Sequence, residues 1–176
     1  AQTYPSKPVR LIVPFPPGGS TETIARITAM KLAELWGQQV IIDNRPGASG
    51  NIGSELVARA TPDGYTLLNV TLPFVVNPHL VARAPYHPAN DFAAIGMICV
   101  SPSLVTVHPS VPVHNINDLL ALARARPGQI NYASAGIGTN PHIAGELFNH
   151  LGKAKLVAVH FKGGGPGLIA AMSGEV

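Results

Sequence analysis

The run Pro8-Val9-Arg10-Leu11-Ile12-Val13-Pro14-Phe15-Pro16-Pro17-Gly18-Gly19-Ser20-Thr21-Glu22-Thr23-Ile24-Ala25 decides the fold class. Pro8–Phe15 is short, apolar and β-branched, as expected of a strand buried on both faces. Pro16-Pro17-Gly18-Gly19 ends it. Ser20 or Thr21 is then placed to cap a helix reaching about Trp36, with Glu22 in the first turn where the helix dipole favours an acid. Ala25, Ala29, Leu32 and Trp36, joined by Ile24 and Leu35, supply its apolar face. Gly37 stops the helix, and Gln39–Asp43 reads as the next strand.

The same alternation continues outward. Gly47-Ala48-Ser49-Gly50-Asn51 leads into a helix near Ile52–Ala60, Pro62-Asp63-Gly64 turns, and Tyr65–Val70 is a third strand. An irregular, proline-containing stretch follows, then strand-like Ala93–Val100 and Ser103–Val107. A second series starts with a helix capped by Asn115, with Asp118 at its third position and Ile116, Leu119, Leu120 and Ala123 as its apolar face. Gln129–Ala133 is a strand. Asn140 and Pro141 open a helix whose apolar face is Ala144, Leu147, Phe148 and Leu151. Lys155–Phe161 is a further strand, and Gly163–Gly165 with Pro166 precede a short helix at Gly167–Met172. Strands alternating with helices predict an α/β fold with mainly parallel sheets flanked by helices. The Pro-rich region predicts two lobes, residues 1–100 and 101–176, with a hinge near 98–103. Glu175-Val176 reads as the first step of another strand, so the second lobe is expected to be incomplete.

Composition narrows the function classes. The chain has 176 residues, 46% of them hydrophobic and only 12% charged, against about 25% charged in a typical soluble domain. Its 18 glycines and 17 prolines stay below the roughly 25–30% that marks low-complexity chains. Collagen-like, disulfide-scaffold and disordered classes are excluded. The formal charge of +3 is scattered and no basic run carries interleaved aromatics, so nucleic acid is not an expected partner. Cys99 lies in an apolar run and reads as a small core residue. The uncharged stretches Gly64–Ala82 and Phe92–Asn117 are broken by prolines, and neither offers the roughly 20 predominantly apolar residues of a membrane span. The start, Ala1-Gln2-Thr3-Tyr4-Pro5, is compatible with a mature end left after removal of a signal peptide.

Two strand–turn–helix junctions carry the chemistry. One is Phe15 to Thr21, with Gly18, Gly19 and Ser20; the other is Ser134-Ala135-Gly136-Ile137-Gly138-Thr139. Each places glycines where backbone approaches a ligand, and a helix N-terminus whose free N–H groups and partial positive charge suit a carboxylate or phosphate. In open α/β sheets such carboxyl-end turns border the ligand crevice. Rival motifs fail. The first turn lacks the P-loop lysine, Gly47–Gly53 and Gly136–Pro141 break the dinucleotide pattern, and no G-x-S-x-G elbow is present. The seven histidines lack metal-ligand spacing, so neither a metal nor a catalytic set is expected. His142, in the first turn of its helix, is the histidine placed to line the ligand site. Lys162-Gly163-Gly164-Gly165-Pro166 either adds donors there or makes a bend.

These residues together resemble a family. Tyr4-Pro5-Ser6-Lys7-Pro8-Val9-Arg10, Ile12–Thr21, Asn44-Arg45-Pro46-Gly47-Ala48, Gly50-Asn51-Ile52-Gly53, Pro62–Leu68, Asn77-Pro78, Pro127-Gly128-Gln129, Asn131–Gly136 and Lys162-Gly163-Gly164 with Pro166 run in the order found in Bug-type receptors. These are the periplasmic substrate-binding proteins of tripartite tricarboxylate transporters. The resemblance covers roughly the first three-fifths of a family member. It implies a two-lobed, Venus-flytrap protein, monomeric at full length, that closes on a small organic acid and hands it to membrane transporter subunits. The acid is a dicarboxylate, tricarboxylate, amino acid or aromatic acid. No cofactor is implied. Phe15, Gly18, Gly19, Ser20, Thr21, Ala48, Ser134, Ala135, Gly136, Gly138, Thr139 and His142 are the implied ligand-binding residues. The family often has Asp where this chain has Glu22. Two alternatives stand beside the receptor: a periplasmic sensor feeding a signalling partner, and an α/β enzyme acting on a carboxylate, which lacks a nucleophile–base set.

Overall fold

The computed structural model describes residues 4–176. The chain divides into two units, the first ending at Val100 and the second running from Ser101 to Val176.

In the first unit β1 (Val9–Val13) is central. It pairs in parallel with β2 (Val40–Asn44) on one side and β3 (Thr66–Leu68) on the other, giving the order β2-β1-β3. The register sets Leu11 opposite both Ile42 and Leu67. Helix α1 (Ser20–Trp36) lays Ala25 and Ala29 on Leu11 and Val13, with Val40, Ile42 and Leu67 around them. Val9, Ile12 and Val13 are fully buried, and each contributes about 1.5–3 kcal/mol of apolar burial. Helix α2 (Asn51–Ala58) follows a single 3-10 turn at Ala48–Gly50, and α3 is Pro73–Leu80. The α3 helix lies in the stretch expected to be irregular. Pro73 opens it, where a missing N–H costs nothing, and Pro78 lies inside it near its end.

The second unit is built on β4 (Asn131–Ser134) and β5 (Val157–His160), paired in parallel with Ser134 opposite His160. Its helices are α4 (Ile116–Ala125), α5 (Asn140–Gly152) and α6 (Gly164–Ser173). Helix α5 covers the face bearing Tyr132. A Cβ on Gly145 would lie 2.3 Å from the Tyr132 ring. Helix α6 covers the opposite face, with Gly167 against Ala133. Asn115 caps α4 as expected, its Oδ1 accepting the Asp118 N–H at 3.0 Å.

The α/β class with parallel sheets therefore holds, and the differences are local. The N-cap of α1 is Gly19 rather than Ser20 or Thr21, which lie inside the first turn, and Thr139 rather than Asn140 caps α5. Leu35 is exposed, because ten residues beyond Ala25 it lies roughly 80° round the helix. On α5 the expected apolar face is turned outward. Ala144, Leu147 and Leu151 are exposed, while Gly145 meets Tyr132 and Gly152 meets Leu120. Close approach there requires glycine, and bulky side chains are left on the far side. Ala93–Val100 and Ser103–Val107 form no strand. Among the described residues no neighbouring strand offers them a ladder, and Ile95, Met97 and Leu104 are more than four-fifths exposed. Cys99 is exposed rather than core. Among the described residues no helix is long and apolar enough to cross a membrane.

Candidate functional site

In the first unit the strand-end turns gather at the carboxyl edge of β2-β1-β3. The β1–α1 turn is anchored by Asn44, whose Nδ2 donates to the Phe15 carbonyl at 2.9 Å. Gly18 takes the left-handed conformation, φ +89°. Its N–H points at the Glu22 carboxylate, 3.4 Å away, and Glu22 is itself buried and paired with Arg26. One amide expected to face a ligand is thus taken up by the helix's own acid. Ser20 and Thr21 lie in the first turn of α1, where N–H groups have no intrahelical acceptor.

The β2–α2 turn is the most constrained segment. Gly47, Ala48, Ser49 and Gly50 all have positive φ, at 129°, 47°, 53° and 98°. For Ala48 and Ser49 this costs on the order of 1–3 kcal/mol each unless the surroundings hold them there. They do. Asn77 donates through Nδ2 to the Ser49 carbonyl at 3.0 Å and to Asn51 Oδ1 at 2.9 Å. Ser54 Oγ donates to the Gly50 carbonyl at 2.9 Å, and Tyr86 donates to the Phe74 carbonyl at 3.0 Å. Burial pushes the Tyr86 phenol above its ordinary value, which keeps it a donor. A cavity of about 10 Å³ between Phe15, Ser49, Gly50 and Phe74 has room for about one water. Phe15, Gly18, Gly19, Ser20, Thr21 and Ala48 thus share one edge of this unit.

In the second unit the β4–α5 turn is built from its own hydroxyls. Ser134 is buried, and its Oγ donates to the Gly136 carbonyl at 3.1 Å. Thr139 Oγ1 donates to the same carbonyl at 2.6 Å and lies 3.5 Å from Ser134 Oγ. Gly136 and Gly138 take φ of 126° and 77°. The Gly138 N–H donates to His142 Nδ1 at 3.2 Å, so the imidazole closes the turn from inside the helix. Ala135 lies within this turn. The Ser134 and Thr139 hydroxyls shape the backbone instead of projecting toward solvent. Tyr132 donates to Glu146 Oε1 at 3.0 Å; burial first, then Glu146, pushes its phenol up to about 12. Among the described residues no cluster of His, Cys, Asp or Glu suits a metal.

The comparisons with known proteins decide the family. The model of the tripartite tricarboxylate transporter family receptor, TctC, matches residues 24–176. The chain belongs to this family, the Bug-type periplasmic binding proteins. It is similar to the protein BugT of Bordetella pertussis, 36% identical over all of this chain and 55% of BugT. Among solved Bug-type structures, Rpa4515 of R. palustris with adipate superposes with a TM-score of 0.93 at 37% identity, over 98% of this chain and 58% of that one. MatC of Rhodopseudomonas palustris with bound malate gives 0.86 at 30% identity, over 98% and 59%. The chain spans about half the length of the curated Bug-type relatives it matches. The family is one of transport receptors rather than enzymes.

Several residues that hold these turns escaped the sequence reading. Asn77 and Asn51 were visible only within the motifs Asn77-Pro78 and Gly50-Asn51-Ile52-Gly53, without a role, and Ser54 and Tyr86 carried no signal. Glu22 was placed in the first turn, but its reach to Gly18 was not expected. His160, opposite Ser134, was visible only as one of seven histidines.

Proposed function

We propose that the protein is a periplasmic solute receptor that captures a small organic acid at its strand-end turns and presents it to the membrane subunits of a tripartite transporter. The observation that carries this reading is the pairing of family membership with relatives solved with adipate and malate. Both acids carry two carboxylates, which makes a dicarboxylate the first ligand class to test. The assigned contacts are Phe15, Gly18, Gly19, Ser20, Thr21 and Ala48 from the first unit. Ser134, Ala135, Gly136, Gly138, Thr139 and His142 come from the second, with Ser134 and Thr139 acting largely through the backbone they shape.

The physical chemistry supports this division of labour. Helix N-termini and glycine turns bind a carboxylate without lysine or arginine, which agrees with a chain only 12% charged. Water between amides and ligand tolerates several related acids. Binding would then select a closed state that the transporter recognises. A ligand-induced thermal shift over dicarboxylates, tricarboxylates, amino acids and aromatic acids tests the reading. A rise in melting temperature with at least one acid is expected, and none with any would contradict it. Co-purification with transporter membrane subunits is expected; capture of a signalling partner in their place would favour the sensor.

A further inference from the structure

The carboxyl edge of the second unit holds a pair of imidazoles, of which the receptor reading uses only His142 and leaves His160 without a role. The parallel register sets His160, the last residue of β5, opposite Ser134, the last residue of β4. Their side chains therefore leave the same face of the sheet, the face covered by α5. His142 stands in the first turn of α5, and its ring meets that of His160 edge-to-face, with centroids 5.0 Å apart and planes at 64°. His142 Nδ1 is committed as the acceptor for the Gly138 N–H. In a neutral imidazole that leaves the proton on Nε2, as a donor directed away from the turn. His160 is exposed at the strand end, so its ring is open to an incoming group.

The surroundings favour an anion as that group. Lys162 lies two residues beyond His160 and is exposed. Glu146, one turn along α5 from His142, has its carboxylate engaged by the Tyr132 hydroxyl. The Tyr132 hydroxyl oxygen also lies 3.3 Å from the His142 carbonyl oxygen, so the phenol packs against the backbone carrying the ring. Ring N–H donors on a rigid helix turn and a strand end, with a lysine two residues further along the chain, suit a carboxylate oxygen.

We propose that His142 and His160 together form a subsite for the second carboxylate of a dicarboxylic acid, making His160 a specificity-determining residue. The proposal rests on the receptor reading. The first carboxylate lies at the glycine turns, and the imidazole pair sorts dicarboxylates from monocarboxylates of the same length.

The test is calorimetric titration of the full-length protein with adipate and malate, each against the monoacid of equal length, repeated on His160→Phe and His160→Gln. Phenylalanine keeps the ring contact and removes the donor, whereas glutamine keeps a donor. His160→Phe should weaken the preferred dicarboxylate about tenfold and leave its monoacid within about twofold, with the melting temperature little changed. His160→Gln should recover most of the loss. A dicarboxylate-to-monoacid ratio that His160→Phe leaves unchanged would overturn the subsite while leaving the receptor standing. Binding of no acid by the wild-type protein would overturn both.

Discussion

Gly53 on α2 lies directly against Pro14 at the end of β1. A methyl carbon on Gly53 would stand 2.8 Å from Pro14 Cβ and 2.9 Å from the Arg45 carbonyl oxygen. Both obstacles are stiff, one a proline and the other backbone. The contact ties the first turn of α2, and with it the strained Ala48–Gly50 turn, to the end of β1 that leads into Phe15. Gly53→Ala should therefore destabilise the protein by about 1–3 kcal/mol. Urea unfolding followed by circular dichroism measures this as a lower midpoint at unchanged slope.

The cap of α4 offers a cleaner local test. Asn115 Oδ1 accepts the Asp118 N–H, while Asp118 Oδ2 accepts the His114 N–H at 2.9 Å. Asn115→Ala should cost about 1 kcal/mol and leave acid binding unchanged. Paired urea and calorimetric titrations check both halves.

Where local pattern and tertiary packing agreed, the sequence was readable. Pro8–Phe15 followed by two prolines and two glycines admits little except a buried strand and a turn, and Gly37 ends α1 in the left-handed conformation expected of a helix stop, φ 63°. Helix α5 shows the opposite case. Its leucines mark an apolar stripe, yet contact with Tyr132 and Leu120 selects Gly145 and Gly152 instead, and no periodicity reports which face a tyrosine will claim. The site divides in the same way. Its glycine turns are visible as composition, but the inward rotation of the Ser134 and Thr139 hydroxyls and the reach of Asn77 to Ser49 depend on distances that only the folded chain defines.

The tyrosines should titrate in a defined order. Hydrogen bonds to Ser6 hold the Tyr65 phenol below its ordinary value, burial raises Tyr4 and Tyr86, and Tyr132 is pushed up to about 12 by burial and then Glu146. Tyr132 gains its proton affinity on folding. Its contribution to stability is thus full below the unfolded value near pH 10 and disappears as pH rises through about 12. Ultraviolet phenolate titration should show the last step near pH 12 vanish in Tyr132→Phe. The variant should also lose less stability than wild type between pH 10 and 12.

The β4–α5 turn should depend on hydroxyl geometry. Thr139 Oγ1 donates to the Gly136 carbonyl at 2.6 Å. Thr139→Val removes the shorter of the two hydroxyl bonds to that carbonyl, leaving only that from Ser134 Oγ at 3.1 Å, and should weaken acid binding about tenfold, while Thr139→Ser should stay within about threefold. Equal affinities for all three proteins would assign the hydroxyl to packing alone.

The receptor reading faces its most direct test in calorimetric titration of the full-length protein with adipate and malate. The account predicts saturable binding of at least one of them at one site per chain, in the micromolar range or tighter. Titrations of both acids that show no binding up to millimolar concentration would contradict it.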